Sequence, residues 1–233
     1  MKPLIVVDLE ATCWEDGTPR EESEVIEIGA VFMHPPLVVG KPWQIGTSFD
    51  TLIQPVRHPR LSDFCTQLTT ITQKQVDEAP KFPEAWAAFE AWLKTVDPVG
   101  DSRMVAWGGY DHSMLRRECA RHGTKMPWQD AVNLKEVFAT QSRRKGGSRK
   151  QLGLRKALDK LNIPFEGTPH RGIDDAKMTA KIAEWLFQSS RWTPSLQAVS
   201  LLCTRSTMGI VAPIEVLEAE ARDMQVPEII PKI

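Results

Sequence analysis

Asp8 and Glu10 stand two positions apart at the end of a wholly apolar run, Leu4-Ile5-Val6-Val7. Such a run reads as a buried strand, and residues two apart on a strand point to one face. Side-by-side carboxylates repel each other and are costly to desolvate, and a divalent cation offsets both penalties. Two solvated strand-end acids are the plainer alternative. A third acid, Asp111, follows the turn Trp107-Gly108-Gly109-Tyr110, between a short apolar strand and a helix. Asp is also a favoured helix N-cap there. Last come His170, in a loop after Pro169, and the adjacent acids Asp174 and Asp175 in the first turn of a further helix. The helix dipole alone favours acids at that end. Spacing does not separate Asp174 from Asp175.

The set says more than its members. Each acid falls at a strand end or a helix start, and such positions can converge on one edge of a sheet. Hard oxygen donors in this number suit Mg2+ or Mn2+ rather than zinc. A histidine outside the ligand set has a reference pKa of about 6.5 and can take a proton near neutral pH. Together these residues describe two-metal phosphodiester hydrolysis.

The elements that must position them follow from periodicity. Leu4 to Val7, Val25 to Met33 and Trp43 to Ile53 read as three strands in an antiparallel meander, with Ile26, Ile28, Ala30 and Phe32 on one face of the second. Trp14 to Ser23 is polar, contains Gly17 and Pro19, and reads as a loop. Pro83 suits a first helical turn, and Trp86, Phe89, Leu93 and Val96 continue at helical spacing. Arg103 to Trp107 is a short strand. Asp111 to His122 is a helix closed by Gly123. Ser148 with Gln151 is a candidate capping box for a helix through Leu154, Leu158 and Leu161. Ala176, Ala180, Ala183 and Phe187 stripe a helix that begins near Ile173. One more helix is expected over Ile214 to Met224. Strands first, then helices mixed with short strands, fit an α/β or α+β sheet covered by helices.

Composition narrows the function classes. The 233 residues include 29 Lys+Arg and 30 Asp+Glu, for a formal net charge of -1. An overall basic field therefore cannot explain polyanion binding, and any nucleic-acid site needs local clustering. The run Arg143, Arg144, Lys145, Arg149 and Lys150 is such a cluster, with a solvated loop as its alternative. Cysteines at 13, 65, 119 and 203 make no C-x-x-C pair, which excludes a written zinc knuckle or thioredoxin motif. Cys13 reads as a small buried side chain. The opening apolar run is too short for a signal-peptide core, and no stretch approaches the roughly 18 apolar residues of a membrane span. A cytoplasmic protein with no membrane association is expected.

The three motifs resemble those of the DEDDh 3′–5′ exonucleases, the DnaQ-like branch of the ribonuclease-H-like fold. Asp8-x-Glu10 within Val-Asp-Leu-Glu-Ala-Thr is similar to the first motif and Asp111 to the second. His170, four intervening residues and Asp175 resemble the third, an offset that selects Asp175 over Asp174. The likeness is closest to the Eri-type RNA exonucleases. It is carried by Gln54-Pro55, Leu61-Ser62-Asp63-Phe64-Cys65, Leu68-Thr69-Thr70-Ile71-Thr72, Gln75-Val76-Asp77, Trp107-Gly108-Gly109-Tyr110-Asp111 and Pro169-His170-x-Gly172-x-Asp174-Asp175. Relatives commonly have Gly where this chain has Thr70. Some carry an added N-terminal nucleic-acid-binding module, whereas this chain starts at the first catalytic strand, so structured-RNA targeting by such a module is not expected.

The resemblance implies an α/β ribonuclease-H-like domain over residues 1–190, with a central mixed five-stranded sheet flanked by helices. Residues 191–233 are then an extension that packs on the domain or mediates association, a homodimer included. It implies catalytic Asp8, Glu10, Asp111, His170 and Asp175, with the four acids holding two Mg2+ or Mn2+ ions and His170 as base. Ala11, Thr12, Leu68, Thr69 and Ile71 are the implied nucleotide contacts, with core packing as the alternative for the last three. Trp107 is a candidate to shape the site. The implied substrate is the 3′ end of single-stranded RNA, released as nucleoside 5′-monophosphates. DNA or dual specificity is the alternative. A catalytically silent binding module and a small-nucleotide phosphatase are the more distant ones.

Overall fold

The computed structural model describes residues 1–16, 18, 20–36, 41–141 and 151–188. The strands among them are β1 (Leu4–Ala11), β2 (Val25–His34), β3 (Gln44–Leu52), β4 (Arg103–Ala106) and β5 (Ala131–Asn133). The helices are α1 (Asp63–Thr69), α2 (Gln73–Asp77), α3 (Phe82–Val96), α4 (Tyr110–Arg121), α5 (Leu134–Gln141), α6 (Leu154–Leu161) and α7 (Gly172–Gln188). The sheet order is β3-β2-β1-β4-β5. β1, β2 and β3 pair antiparallel, as the meander expectation has it, whereas β1–β4 and β4–β5 are parallel. The sheet is therefore mixed, with β1 at its centre. No helix among the described residues is long and apolar enough to cross a membrane.

Alternation along β1 splits the core into two layers. Ile5, Val7 and Leu9 pack with Phe82, Trp86, Phe89, Met114 and Leu115 of α3 and α4. Leu4 and Val6 pack with Leu158 of α6 and with Ala176, Ala180, Ala183 and Leu186 of α7. Both faces of β1 are covered, which is why its run is unbroken rather than alternating. Asp8 and Glu10 continue the Leu4–Val6 face, so they stand on the α7 side of the sheet.

Several local expectations are corrected. Asp111 is not the N-cap of α4: Gly109 holds that place, and Asp111 lies within the first turn. α6 begins at Leu154 behind an N-cap Gly153, without a side-chain cap, so the Ser148–Gln151 box does not start this helix. α1, α2, α5 and β5 have no counterpart among the elements read from periodicity. The basic run 143–150, the expected helix over 214–224 and the extension 191–233 lie outside the described residues.

Candidate active site

β1 outruns its parallel neighbour. Val6 pairs with Val105, and β4 ends at Ala106, so the strand edge beyond is left without a ladder partner. Gly108, at φ +131°, turns the chain away there in a conformation that favours glycine. The chain returns as α4, and Asp111 accepts the Leu9 N–H at 3.1 Å through Oδ1. A buried carboxylate (6% exposed) thus replaces the missing strand and is fixed between Asp8 and Glu10.

The third motif arrives from the other side. Asp8 faces Gly29 across the β1–β2 ladder. A Cβ on Gly29 would lie 2.1 Å from the Gly172 carbonyl carbon, and one on Gly172 would lie 3.0 Å from the Asp8 carbonyl oxygen. Two glycines therefore let the start of α7 rest directly on the sheet. The turn before it is tight. His170 has φ +61°, its N–H reaches Asp175 Oδ2 at 3.2 Å, and the Asp175 N–H reaches the Arg171 carbonyl at 2.9 Å. Asp174 points to different work: it accepts the Thr168 N–H at 2.9 Å and packs against Gly167. Asp174 thus closes the loop, whereas Asp175 stands with Glu10 and His170.

Ligand atoms of Glu10, His170 and Asp175 all lie within 4.8 Å of one another. His170 thus stands beside the acids rather than apart from them, with its ring exposed. Electrostatics bind the remaining acids to this cluster. Burial, then the charges of Asp111, Asp175, Glu10 and Glu27, pushes the Asp8 carboxyl well above the ordinary range. Burial, then Asp175, Glu27 and Asp111, pushes Glu10 up to about 9. Burial raises Asp111 to about 6 against the Leu9 N–H, and raises Asp175 to about 6 against the His170 N–H and its ring. Acids driven this far toward protonation lack positive charge. The four acids offer hard oxygen donors, a set that fits Mg2+ or Mn2+. Asp8, Glu10, Asp111 and Asp175 are the residues that could hold such ions.

The implied nucleotide contacts are placed unequally. Thr12 is buried, and its hydroxyl accepts the Glu24 N–H at 3.0 Å. Ala11 is buried, with its carbonyl 3.7 Å from the Cys65 thiol. Thr69 and Ile71 are fully buried, and the Thr69 hydroxyl donates to the Cys65 carbonyl at 2.8 Å and accepts the Ile71 N–H at 3.1 Å. Leu68 is 36% exposed. Trp107 is half-buried; its Nε1 donates to the Leu152 carbonyl at 3.2 Å, and its ring packs on Phe138. Cys13 is partly exposed rather than buried, and its thiol lies against Cys65.

A family model described as "Exonuclease" (RNase T) matches residues 5–183. The chain belongs to this exonuclease family. ERI1 exoribonuclease 2 of Xenopus laevis is 32% identical over 77% of this chain, a stretch that is 28% of that protein. The 3′-5′ exonuclease Snipper of Drosophila melanogaster is 33% identical over 75% of this chain and 65% of its own length. The chain thus spans less than two thirds of either relative. The nuclease domain of 3′hExo, described as a DEDDh family member bound to rAMP, superposes with TM-score 0.71 at 29% identity, covering 81% of this chain and 93% of that one. The chain has the expected ribonuclease-H-like fold, and the family's DEDDh branch is metal-dependent.

Sequence reasoning missed Glu27. It is fully buried on β2, opposite Glu10, and its carboxylate binds Arg171 and the Gly172 N–H. A glutamate inside the otherwise apolar run from Val25 to Met33 is the available signal.

Proposed function

We propose that this exonuclease removes nucleoside 5′-monophosphates from the 3′ end of single-stranded RNA. The observation that carries the reading is the convergence of Glu10, His170 and Asp175 within 4.8 Å, in a chain of the exonuclease family. Two Mg2+ or Mn2+ ions, when bound, supply Lewis acidity at the scissile phosphate and acidify the attacking water. Asp8, Glu10, Asp111 and Asp175 would hold them. The exposed His170 ring accepts the water's proton at a ring nitrogen, and its neutral form is the active one. Leu68 is the exposed apolar side chain available to the terminal base. The buried Thr12, Thr69 and Ile71 act behind it by fixing the backbone. The ribonucleotide-bound relative and the exoribonuclease names favour RNA over DNA.

The test uses 5′-labelled single-stranded RNA and DNA of one sequence, each with Mg2+ or EDTA. A Mg2+-dependent ladder shortening from the 3′ end, faster on RNA, is expected. Equal or faster loss of DNA moves the substrate to DNA. No degradation of either by folded protein, even with Mn2+, overturns the reading.

A further inference from the structure

A carboxylate at 0% exposure is costly unless it is paired and hydrogen-bonded, and Glu27 is both. Arg171 donates through Nε at 3.1 Å to Oε2 and 3.3 Å to Oε1, and through Nη2 at 3.1 Å to Oε1. The Gly172 N–H donates to Oε2 at 3.0 Å. This fork is bidentate and angular, so it fixes orientation as well as distance. Its placement matters. Glu27 pairs across the ladder with Glu10, while Arg171 and Gly172 lie between His170 and Asp175. One side chain on β2 therefore ties the segment joining the two third-motif residues to the strand position opposite the first motif.

We infer that Glu27 is a positioning residue: through Arg171 and the Gly172 N–H it sets how His170 and Asp175 are presented to Glu10. The inference rests on the exonuclease reading above. Stability alone is a poor account of the pair. Buried ion pairs are often matched or bettered by apolar residues of similar volume. This one places the Glu27 carboxylate beside Asp8, Glu10, Asp50 and Asp175, with the Arg171 guanidinium offsetting its charge. A buried pair that an apolar pair could replace is explained by the geometry it imposes. Residues that orient metal ligands from behind typically change metal affinity or activity by about 10- to 100-fold when replaced.

The test compares wild type with Glu27→Gln, Arg171→Lys and the double variant Glu27→Met/Arg171→Met. Melting temperature in EDTA reports folding. Mn2+ affinity, from the electron paramagnetic resonance signal of free Mn2+, reports the site without catalysis. Single-turnover rate and KM on an RNA oligonucleotide report function. Both single variants are expected to lose about 10- to 100-fold in Mn2+ affinity or single-turnover rate, with KM within about threefold. The double variant is expected to melt at or above the wild-type temperature and yet stay impaired. Wild-type Mn2+ affinity and rate in the folded double variant overturn the inference. So does a deficit that vanishes at a temperature where every variant is folded, or a wild type that binds no Mn2+. A wild type that binds Mn2+ but hydrolyses neither RNA nor DNA refutes the exonuclease reading instead, and the Mn2+ comparison still decides the role of Glu27.

Discussion

Replacing Gly29 by Ala probes the contact on which the site is built. The new Cβ would lie 2.1 Å from the Gly172 carbonyl carbon, 2.2 Å from the Ile173 nitrogen and 2.4 Å from the Gly172 oxygen. Ordinary contact begins near 3.4 Å, so the start of α7 must retreat by about 3.4 − 2.1 = 1.3 Å. The obstructing atoms are backbone, and no rotamer relieves them. Overpacking of this kind typically costs about 1–3 kcal/mol of stability. The functional cost is separable. Asp175 and His170 ride on the displaced segment while Glu10 stays on β1, and a misplacement of about 1 Å can cost about 100-fold in rate. That factor corresponds to about 2.7 kcal/mol of barrier. The assay is the single-turnover rate on labelled RNA with saturating Mg2+, at a temperature where circular dichroism shows the variant folded. A folded Gly29→Ala protein within threefold of wild type would refute the reasoning.

Three further outcomes follow from the same geometry. Asp8→Asn removes one charge from an overcrowded cluster, so it is expected to melt above wild type in EDTA while losing nearly all turnover; a lower melting temperature with retained turnover contradicts this. Thr70, exposed and at φ +60°, sits in a left-handed conformation that costs a β-branched residue about 1–2 kcal/mol, part of which glycine's chain entropy returns. Thr70→Gly is therefore expected to stabilise by about 0.5–1 kcal/mol in urea titrations, and destabilisation refutes the strain argument. Asp111 and Asp175, raised from 3.8 to about 6, and Glu10, raised to about 9, bind more protons folded than unfolded, so metal-free stability falls as pH rises from about 4 toward 9. Bound cations offset that loss, and the Mg2+-induced rise in melting temperature is expected to be larger at pH 8 than at pH 5; a shift that is flat or reversed with pH contradicts it.

The parts of this architecture that could be read from sequence are those written locally. The unbroken run Leu4–Val7 announces a central strand because both its faces are covered. Asp8 and Glu10 share a face because strand alternation demands it. β5 escaped notice because three residues carry no period. α1 and α2 are short, yet their starts were written: Ser62 caps Cys65, and Thr72 with Gln75 forms a capping box. Their signal lies in caps rather than in apolar spacing. The site's remaining determinants are non-local. Glu27 and Arg171 are 144 positions apart, and the Gly29–Gly172 approach spans a similar separation, so no window of sequence contains either. The N-cap alternative for Asp111 stays open in the sequence because its partner, the Leu9 N–H, becomes available only where β4 stops.

The most direct test follows the atoms. RNA is hydrolysed in H2(18)O with Mg2+, and the released mononucleotides are identified by mass spectrometry, with an EDTA control. The account predicts nucleoside 5′-monophosphates carrying one solvent oxygen on phosphorus, released from the 3′ end only when metal is present. Nucleoside 3′-phosphates, or release that persists in EDTA, would contradict it.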